Sequence, residues 1–223
     1  NPRQFNSPED LAKYPRTEQA DAEKLAPFDV DVVYVPDPDQ IYPDGYATSV
    51  SVEGITDVLE GTFRPGHFDG VATVVAKLFL QTGAHKAFFG EKDFQQLAVI
   101  RKLARDLMIP VEVIGAPTVR EDDGLAKSSR NGYLSEQERG IAPVVFRTLR
   151  HTADQLAQGR TDYSILEQEA RDALSEAGLR PDYFNIVNSL TLKPANEADR
   201  ELTLLVAAFL GTTRLIDNLS ITR

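Results

Sequence analysis

The chain has 223 residues, of which 42% are hydrophobic and 26% charged, and its 24 Lys and Arg against 34 Asp and Glu give a formal net charge of −10. This composition predicts a globular protein with one large or two small domains, and it excludes disorder, collagen and coiled coil. The acidic balance argues against nucleic acid and anionic membranes as partners, and no apolar stretch reaches the roughly 20 residues that span a bilayer. The absence of cysteine excludes disulfides and thiolate chemistry, and we expect a cytoplasmic location.

In the first half of the chain, strands and helices alternate in the way typical of a parallel α/β sheet. Short β-branched or aromatic runs predict strands at residues 31–35, 48–52, 85–89 and 111–114. An apolar stripe at residues 71–79 predicts a helix. A second helix ends before Pro110, and its apolar face consists of Leu97, Ile100, Ala104 and Leu107.

In the second half, helices precede strands, which predicts a smaller α+β domain. We therefore predict domains at residues 1–118 and 119–223. Ser135 and Glu138 form a Ser-x-x-Glu capping box that opens a helix, with Pro143 in its first turns or kinking it. The remaining elements are a helix at residues 163–177 that ends at Gly178 and strands at residues 184–187, 202–209 and 214–218.

Residues 89–93 lie where a strand meets a helix and could hold a phosphate. A helix N-terminus offers free N–H groups, Gly90 allows close backbone approach, and Lys92 adds a positive charge. The alternative is a helix cap in which Asp93 and Gln96 form a variant capping box and Lys92 is solvated. These five residues alone favour the cap.

Residues 124–131 combine two serine hydroxyls with Lys127 and Arg130, and such a loop can wrap an anion. The segment lacks the P-loop spacing, and an ordinary solvated linker is an equally good interpretation.

Other chemistry is weakly indicated. The three histidines, His67, His85 and His151, have no metal-binding spacing, and a packed or loop histidine is the better interpretation of His67. Arg64 is a candidate partner for a substrate carboxylate. The sequence supports neither a Ser-His-Asp triad nor a base-stacking platform.

Several short segments occur in a family's order along the chain. They are residues 1–5, 9–11, 14–17, 64–68, 70–79, 89–93, 95–97, 124–126, 128–131, 133–134 and 214–218. Together they span essentially the whole chain and resemble pantothenate synthetase, the pantoate–β-alanine ligase family. The resemblance implies a Rossmann-like nucleotide domain without its first elements and a small C-terminal α+β lid domain, with ATP at the carboxyl ends of the parallel strands in the cleft between the domains.

Enzymes of this family activate pantoate with ATP as an acyl-adenylate, release pyrophosphate, and then transfer the acyl group to β-alanine with loss of AMP. The resemblance implies ATP and Mg²⁺ as cofactors, pantoate and β-alanine as substrates, and a homodimer. It implies ATP contacts from Gly90, Glu91, Lys92, Asp93, Val119, Lys127, Ser128, Ser129 and Arg130. Of these, Lys92, Ser128 and Arg130 are expected to be catalytic. Pantoate and β-alanine are expected at Gln4, Gln96, Asn1, Tyr14 and Arg64.

Two departures from the family pattern leave alternatives open. The family's N-terminal strand and His-x-Gly-His loop, whose histidines bind the ATP phosphates, are not in this sequence. The chain could therefore be a non-catalytic fragment that retains pantoate- and nucleotide-binding elements, and a nucleotidyltransferase with another acceptor is a third hypothesis. Lys127 stands where relatives usually carry Leu or Met. It could contact phosphate or point to solvent, and we expect the phosphate contact.

Overall fold

The computed structural model describes residues 1–5 and 8–223, which form two units. The first unit comprises residues 1–84 and 102–111, and the second comprises residues 85–101 and 112–223. The predicted domain boundary between residues 118 and 119 falls within the second unit and stays a prediction.

The first unit is built from helices. They are Pro8–Lys13 (α1), Glu18–Leu25 (α2), Pro38–Ile41 (α3), Glu60–Phe63 (α4) and His67–Thr82 (α5). Helix α5 confirms the predicted apolar stripe, because Val71, Val75 and Phe79 lie on one face and are buried. It ends at Gly83, whose positive φ of 58° is the left-handed conformation common at helix ends.

The strands predicted at residues 31–35 and 48–52 are wrong. Neither run pairs with another strand in the part of the chain that the structure describes, and Val32 remains 74% exposed. The preference of β-branched residues for strands reflects how well they fit a pleated sheet, so it has no effect without a neighbouring strand. In the second run the Val50 N–H donates to Thr73 Oγ1 of α5 at 2.9 Å instead.

Two parallel strands, Lys86–Gly90 (β1) and Glu112–Ala116 (β2), begin the sheet structure of the second unit and confirm the predicted strand pair. The helix between them is Phe94–Asp106 (α6), which buries Leu97 and Ile100 as predicted. Leu107 is a correction, because the helix ends at Asp106 and the leucine is 53% exposed. A residue beyond the last turn no longer follows the helical period.

The rest of the second unit packs helices against an antiparallel sheet. Its elements are Glu136–Ile141 (α7), Val144–Ala157 (α8), Tyr163–Glu176 (α9), Arg180–Asn188 (β3), Glu201–Leu210 (β4) and Thr213–Thr222 (β5). The strand order is β3-β4-β5, and the three predicted strands and the helix ending before Gly178 are confirmed. Apolar residues of α8, α9 and the sheet form the core, with Leu149, Leu174 and Phe184 fully buried. Pro143 does not kink one helix but separates α7 from α8, in keeping with the tolerance for proline at the start of a helix. None of the helices in residues 1–5 and 8–223 has the length and apolar character needed to cross a membrane.

The predicted capping box at the start of α7 is present and leads to a pH prediction. The Ser135 N–H donates to Glu138 Oε2 at 2.8 Å, which holds the pKa of the Glu138 carboxyl below its ordinary value of 4.5. A lowered pKa contributes stability that is complete above the ordinary value and is lost as the pH falls through the lowered one. We expect the native chain to melt at a higher temperature than Glu138→Gln at about pH 7, because Gln can form the cap without the charge. The difference should shrink as the pH falls below 4.5 and through the lowered pKa, and a pH-independent difference would contradict this assignment.

Candidate active site

Two polar segments leave the sheet at the carboxyl ends of β1 and β2. The last residue pair of the parallel ladder is Gly90 with Ala116. A 3-10 turn, Glu91–Asp93, follows Gly90, and a loop through residues 117–128 follows Ala116. Parallel sheets bind ligands at this edge, so both predicted phosphate segments begin where a nucleotide site is expected.

The Lys92 turn, defined as residues 90–93, has an open backbone. Gly90 has φ −65° and ψ 130°, an extended conformation open to any residue, and a Cβ built on it would meet no atom within 4 Å. Neither conformation nor packing in this chain requires a glycine there. The Lys92 Nζ lies 4.0 Å from Asp93 Oδ1, and the lysine side chain is 19% exposed. Asp93 ends the 3-10 turn and directly precedes Phe94, the first residue of α6, so its role as a helix cap stays a prediction.

The second segment, which we call the 119–131 loop, is folded back on itself. Arg120 pairs with Ala126 as an isolated antiparallel bridge, and the Lys127 N–H donates to the Val119 carbonyl at 2.9 Å. Gly124 is required at the tip, because its φ is +92° and a Cβ would lie 2.5 Å from the Phe146 ring. The loop therefore has a defined conformation, which an ordinary solvated linker would lack.

The cations and hydroxyls of this loop differ in their surroundings. Lys127 is exposed and its Nζ lies 3.6 Å from Glu121 Oε2, so it already has a carboxylate partner. Ser128 is half-buried, and its Oγ accepts the Arg130 N–H at 3.2 Å at the start of a 3-10 turn, Ser129–Tyr133. The Ser128 hydroxyl proton is still available for donation, as expected of a hydroxyl that both donates and accepts. Val119 is 65% exposed.

A further ion pair attaches the loop to α7. Arg139 Nη1 donates to Asp123 Oδ2 at 2.5 Å, and the Leu125 N–H donates to Asp123 Oδ1 at 3.1 Å. The Arg139 hydrogen bond is the main reason that the pKa of the Asp123 carboxyl lies below its ordinary range. Asp123 therefore belongs to the scaffold of the loop.

Residues of β5 that were not predicted as site residues hold both segments. Asp217 is buried and accepts two hydrogen bonds from the Arg120 guanidinium, at 2.6 and 2.9 Å. The Arg120 guanidinium also lies 3.7 Å from the centre of the Phe146 ring. The Asn218 side chain donates to the carbonyls of Glu91 at 2.9 Å and Lys92 at 2.8 Å. The segment 214–218 carried family resemblance in the sequence, but nothing in it indicated these distant contacts.

Within the first unit, the predicted substrate residues Asn1 and Gln4 form one network. Asn1 Nδ2 donates to Gln4 Oε1 and to the Gly70 carbonyl, both at 3.0 Å. The Tyr42 hydroxyl donates to Asn1 Oδ1 at 2.7 Å, and burial raises the pKa of that hydroxyl. Gly70 is required here, because a Cβ would lie 2.3 Å from the Arg3 carbonyl oxygen.

Arg64 and His67 both contact the main chain of Gln4. Arg64 Nη2 donates to the Gln4 carbonyl at 3.1 Å, and His67 Nδ1 lies 2.8 Å from the same oxygen. Because a carbonyl only accepts, His67 carries its proton on Nδ1 for this contact. The buried His67 is a packed histidine, as its context in the sequence favoured. Arg64 also faces Glu60 at 3.9 Å.

The other two predicted substrate residues have separate surroundings. The Tyr14 ring meets Phe5 edge-on at 5.4 Å between centroids. Gln96 lies half-buried on α6 and belongs to the second unit. The structure therefore joins Asn1, Gln4 and Arg64 by direct contacts in one unit and places the predicted ATP residues in the other.

Nearly the whole chain matches known proteins. The profile of the family described as Pantoate-beta-alanine ligase covers residues 1–220. The chain belongs to the pantoate–β-alanine ligase family. The resemblance inferred from short segments is thus confirmed, and membership assigns the chain to an enzyme class, the ligases that join pantoate to β-alanine.

Curated relatives in this family are closely similar. The pantothenate synthetase of Marinobacter nauticus is 77% identical over 100% of this chain and 80% of the relative. That of Pseudomonas fluorescens is 58% identical over 98% of this chain and 77% of the relative.

Solved structures of pantoate–β-alanine ligases have the same fold. Pantothenate synthetase from Thermus thermophilus superposes with a TM-score of 0.95 at 45% identity, covering 100% of this chain and 81% of that one. The α/β fold prediction is confirmed. The Francisella tularensis ligase, described as complexed with beta-gamma ATP and beta-alanine, has a TM-score of 0.81 at 34% identity over 98% of this chain and 76% of its own.

Proposed function

We propose that the protein joins pantoate to β-alanine through a pantoyl-adenylate. A carboxylate oxygen of pantoate attacks the α-phosphorus of ATP, and the bond to the departing pyrophosphate breaks. The β-alanine amine then attacks the acyl carbon and forms the amide bond of pantothenate. AMP leaves with the electrons of the broken C–O bond, and the amine proton passes to solvent.

The single observation that carries this proposal is the convergence of the Lys92 turn and the 119–131 loop on β5. Attack on phosphorus builds negative charge on the phosphate oxygens, and donors that are already in place stabilise that charge best. Lys92, Ser128 and Arg130 supply two cations and a hydroxyl from these two segments. Two neighbouring residues of β5 hold them: Asp217 accepts from Arg120 of the loop, and Asn218 donates to carbonyls of the turn.

The remaining predicted ATP residues take supporting roles in the proposal. The open backbone at Gly90 admits a phosphate, and Glu91 and Asp93 complete the turn. Val119, whose side chain is exposed, contacts the nucleotide. Lys127 and Ser129 contact the phosphates, and Lys127 would exchange its pairing with Glu121 for a phosphate oxygen.

The proposed substrate residues are amides and polar groups suited to pantoate, which carries hydroxyls and a carboxylate. Gln4 and Gln96 hydrogen-bond pantoate, because an amide both donates and accepts. Asn1, Tyr14 and Arg64 complete this end of the site. The contacts of Asn1, Arg64 and His67 with Gln4 support the proposal, because they restrict the movement of that glutamine.

The metal, the assembly and the location stay predictions. Residues 1–5 and 8–223 contain no group of three or more His, Asp or Glu side chains that could hold a metal ion. We still propose Mg²⁺ as a cofactor, because this ion commonly binds through one or two carboxylates together with substrate phosphates, and no step above depends on it. We also propose the homodimer and the cytoplasmic location.

AMP formation from Mg-ATP tests the proposed function. The assay compares this chain with the same chain preceded by the family's upstream segment, each with and without pantoate and β-alanine. AMP that requires both substrates is the expected result. If only the longer chain forms it, the present residues are a binding fragment of the ligase. Without such AMP from either chain, or with AMP that depends on a different acceptor, the proposal is wrong.

Substitution of Gln96 tests its assignment to pantoate. Gln96→Ala should raise the KM for pantoate about tenfold, because one hydrogen bond to a charged substrate is lost, while the melting temperature changes little. The matched control is Gln168→Ala on α9, whose amide contacts Asp172. A lower melting temperature with unchanged kinetics would instead assign Gln96 to the helix start.

A further inference from the structure

The side chain of Asn218 fills all of its donor capacity with two consecutive carbonyls of the Lys92 turn. The residue is 7% exposed, and its Nδ2 lies 2.9 Å from the Glu91 oxygen and 2.8 Å from the Lys92 oxygen. An amide nitrogen has two hydrogens, so each carbonyl receives one. These contacts restrain the main chain on either side of the Lys92 Cα.

The main chain of Asn218 is held just as firmly from the other side. Its N–H donates to Asp217 Oδ1 at 2.8 Å, and its carbonyl accepts from Arg120 Nη2 at 3.3 Å. In the ladder between β4 and β5, Asn218 pairs with Leu205 in the middle of the strands. Asn218 therefore stands on a rigid strand, with an ion pair of the 119–131 loop bound beside it.

A 3-10 turn has weaker internal hydrogen bonds than an α-helix, and by itself it would hold a lysine poorly. A misplacement of about 1 Å at a reacting centre can cost about a hundredfold in rate. Restraint from outside the turn is therefore expected wherever the lysine must meet a developing charge.

We propose that Asn218 is a positioning residue. It holds Lys92 where the lysine charge stabilises the attack of pantoate on the α-phosphate, and it does so only through the Lys92 turn. This inference rests on the proposed function of Lys92. Asn218 itself touches no reacting atom. Its loss should therefore lower the turnover number for adenylation and leave pantoate binding unchanged.

A graded series of substitutions tests the role. Asn218→Ala removes both donors, and Asn218→Ser retains a single donor on a shorter side chain. Pantoate-dependent exchange of pyrophosphate with ATP, in the form of the chain that is active in the AMP assay, should fall about tenfold to a hundredfold for Ala and less for Ser. The KM for pantoate should not change.

The control and a double-mutant cycle separate positioning from stability. Asn188→Ala on β3 removes a half-buried amide that donates to Asp199 and accepts from the N–H groups of Leu190 and Thr191. It should lower the melting temperature at least as much as Asn218→Ser but leave the exchange rate unchanged. In a Lys92→Ala background, Asn218→Ala should change the residual rate less than about twofold, because the lysine it positions is gone.

Different results would contradict the positioning role of Asn218 and the proposed function of Lys92. The positioning role is wrong if the Asn218 substitutions lower the exchange rate by the same factor whether residue 92 is Lys or Ala. It is also wrong if they change only the melting temperature or the KM for pantoate. The same holds if Lys92→Ala is inactive but Asn218→Ala is normal. If Lys92→Ala itself exchanges pyrophosphate at the native rate, the proposed function of Lys92 fails first.

Discussion

Replacing Lys92 by alanine is expected to lower the rate of pantoyl-adenylate formation by about a hundredfold to a thousandfold. The reason is electrostatic: one preorganised group at a developing charge contributes about 3–4 kcal/mol to the transition state. The lysine is largely shielded from water, with 19% of its side chain exposed, so its charge is less screened than that of a surface lysine. Pantoate-dependent pyrophosphate exchange measures the rate directly.

The control for Lys92→Ala is Lys86→Ala on β1, six positions earlier in the chain. Its side chain is 61% exposed and faces Glu112 at 3.7 Å, so its removal changes the net charge equally but leaves the turn intact. We expect a native exchange rate for this variant. Equal rates for both variants would show that Lys92 is an ordinary solvated lysine after all, the alternative that the five-residue segment favoured by itself.

Replacing Asp217 by alanine is expected to lower the free energy of unfolding by about 3 kcal/mol. The substitution leaves the half-buried Arg120 guanidinium without its carboxylate, and breaking such a pair usually costs more than the pair contributes. The Asn218 N–H loses an acceptor at the same time. Urea unfolding followed by circular dichroism measures the change.

Two comparisons make the Asp217 prediction specific. Asp123→Ala breaks an exposed ion pair with Arg139 and should have a much smaller effect. The double variant Arg120→Met with Asp217→Leu removes both charges, so it should be more stable than Asp217→Ala. The free energy of unfolding lost by the double variant could instead equal the sum of the losses of Arg120→Met and Asp217→Leu measured singly. In that case the cost does not come from an uncompensated buried charge.

Expectations that depend on neighbours in sequence agree with the structure. The Ser135 and Glu138 capping box spans three residues, and the apolar face of α5 repeats every three or four. The strands β3, β4 and β5 follow one another along the chain, so each finds its partner nearby. Such patterns are written in the local sequence, and the packing of the protein agrees with them.

Predictions that depend on residues far apart in the sequence were wrong or stayed ambiguous. Residues 31–35 have the composition of a strand, but whether a strand forms depends on a second strand that composition does not specify. Gly90 and Lys92 could be recognised as an anion-binding pattern, yet the same letters also fit a helix cap. Only the β1 and β2 register shows that this turn and the 119–131 loop leave the sheet side by side.

Short motifs in the sequence were enough to infer the family, and the order of predicted strands and helices was enough to infer the α/β class. The residues assigned to the phosphates and to pantoate are implied by the family resemblance and stay predictions. The pairing of Arg120 with Asp217 across 97 positions, and the contact of Asn218 with the Lys92 carbonyl across 126, became visible only in the folded chain. The physical reason is that a hydrogen bond depends on distance in space, and folding brings together groups whose separation along the chain carries no signal of their contact.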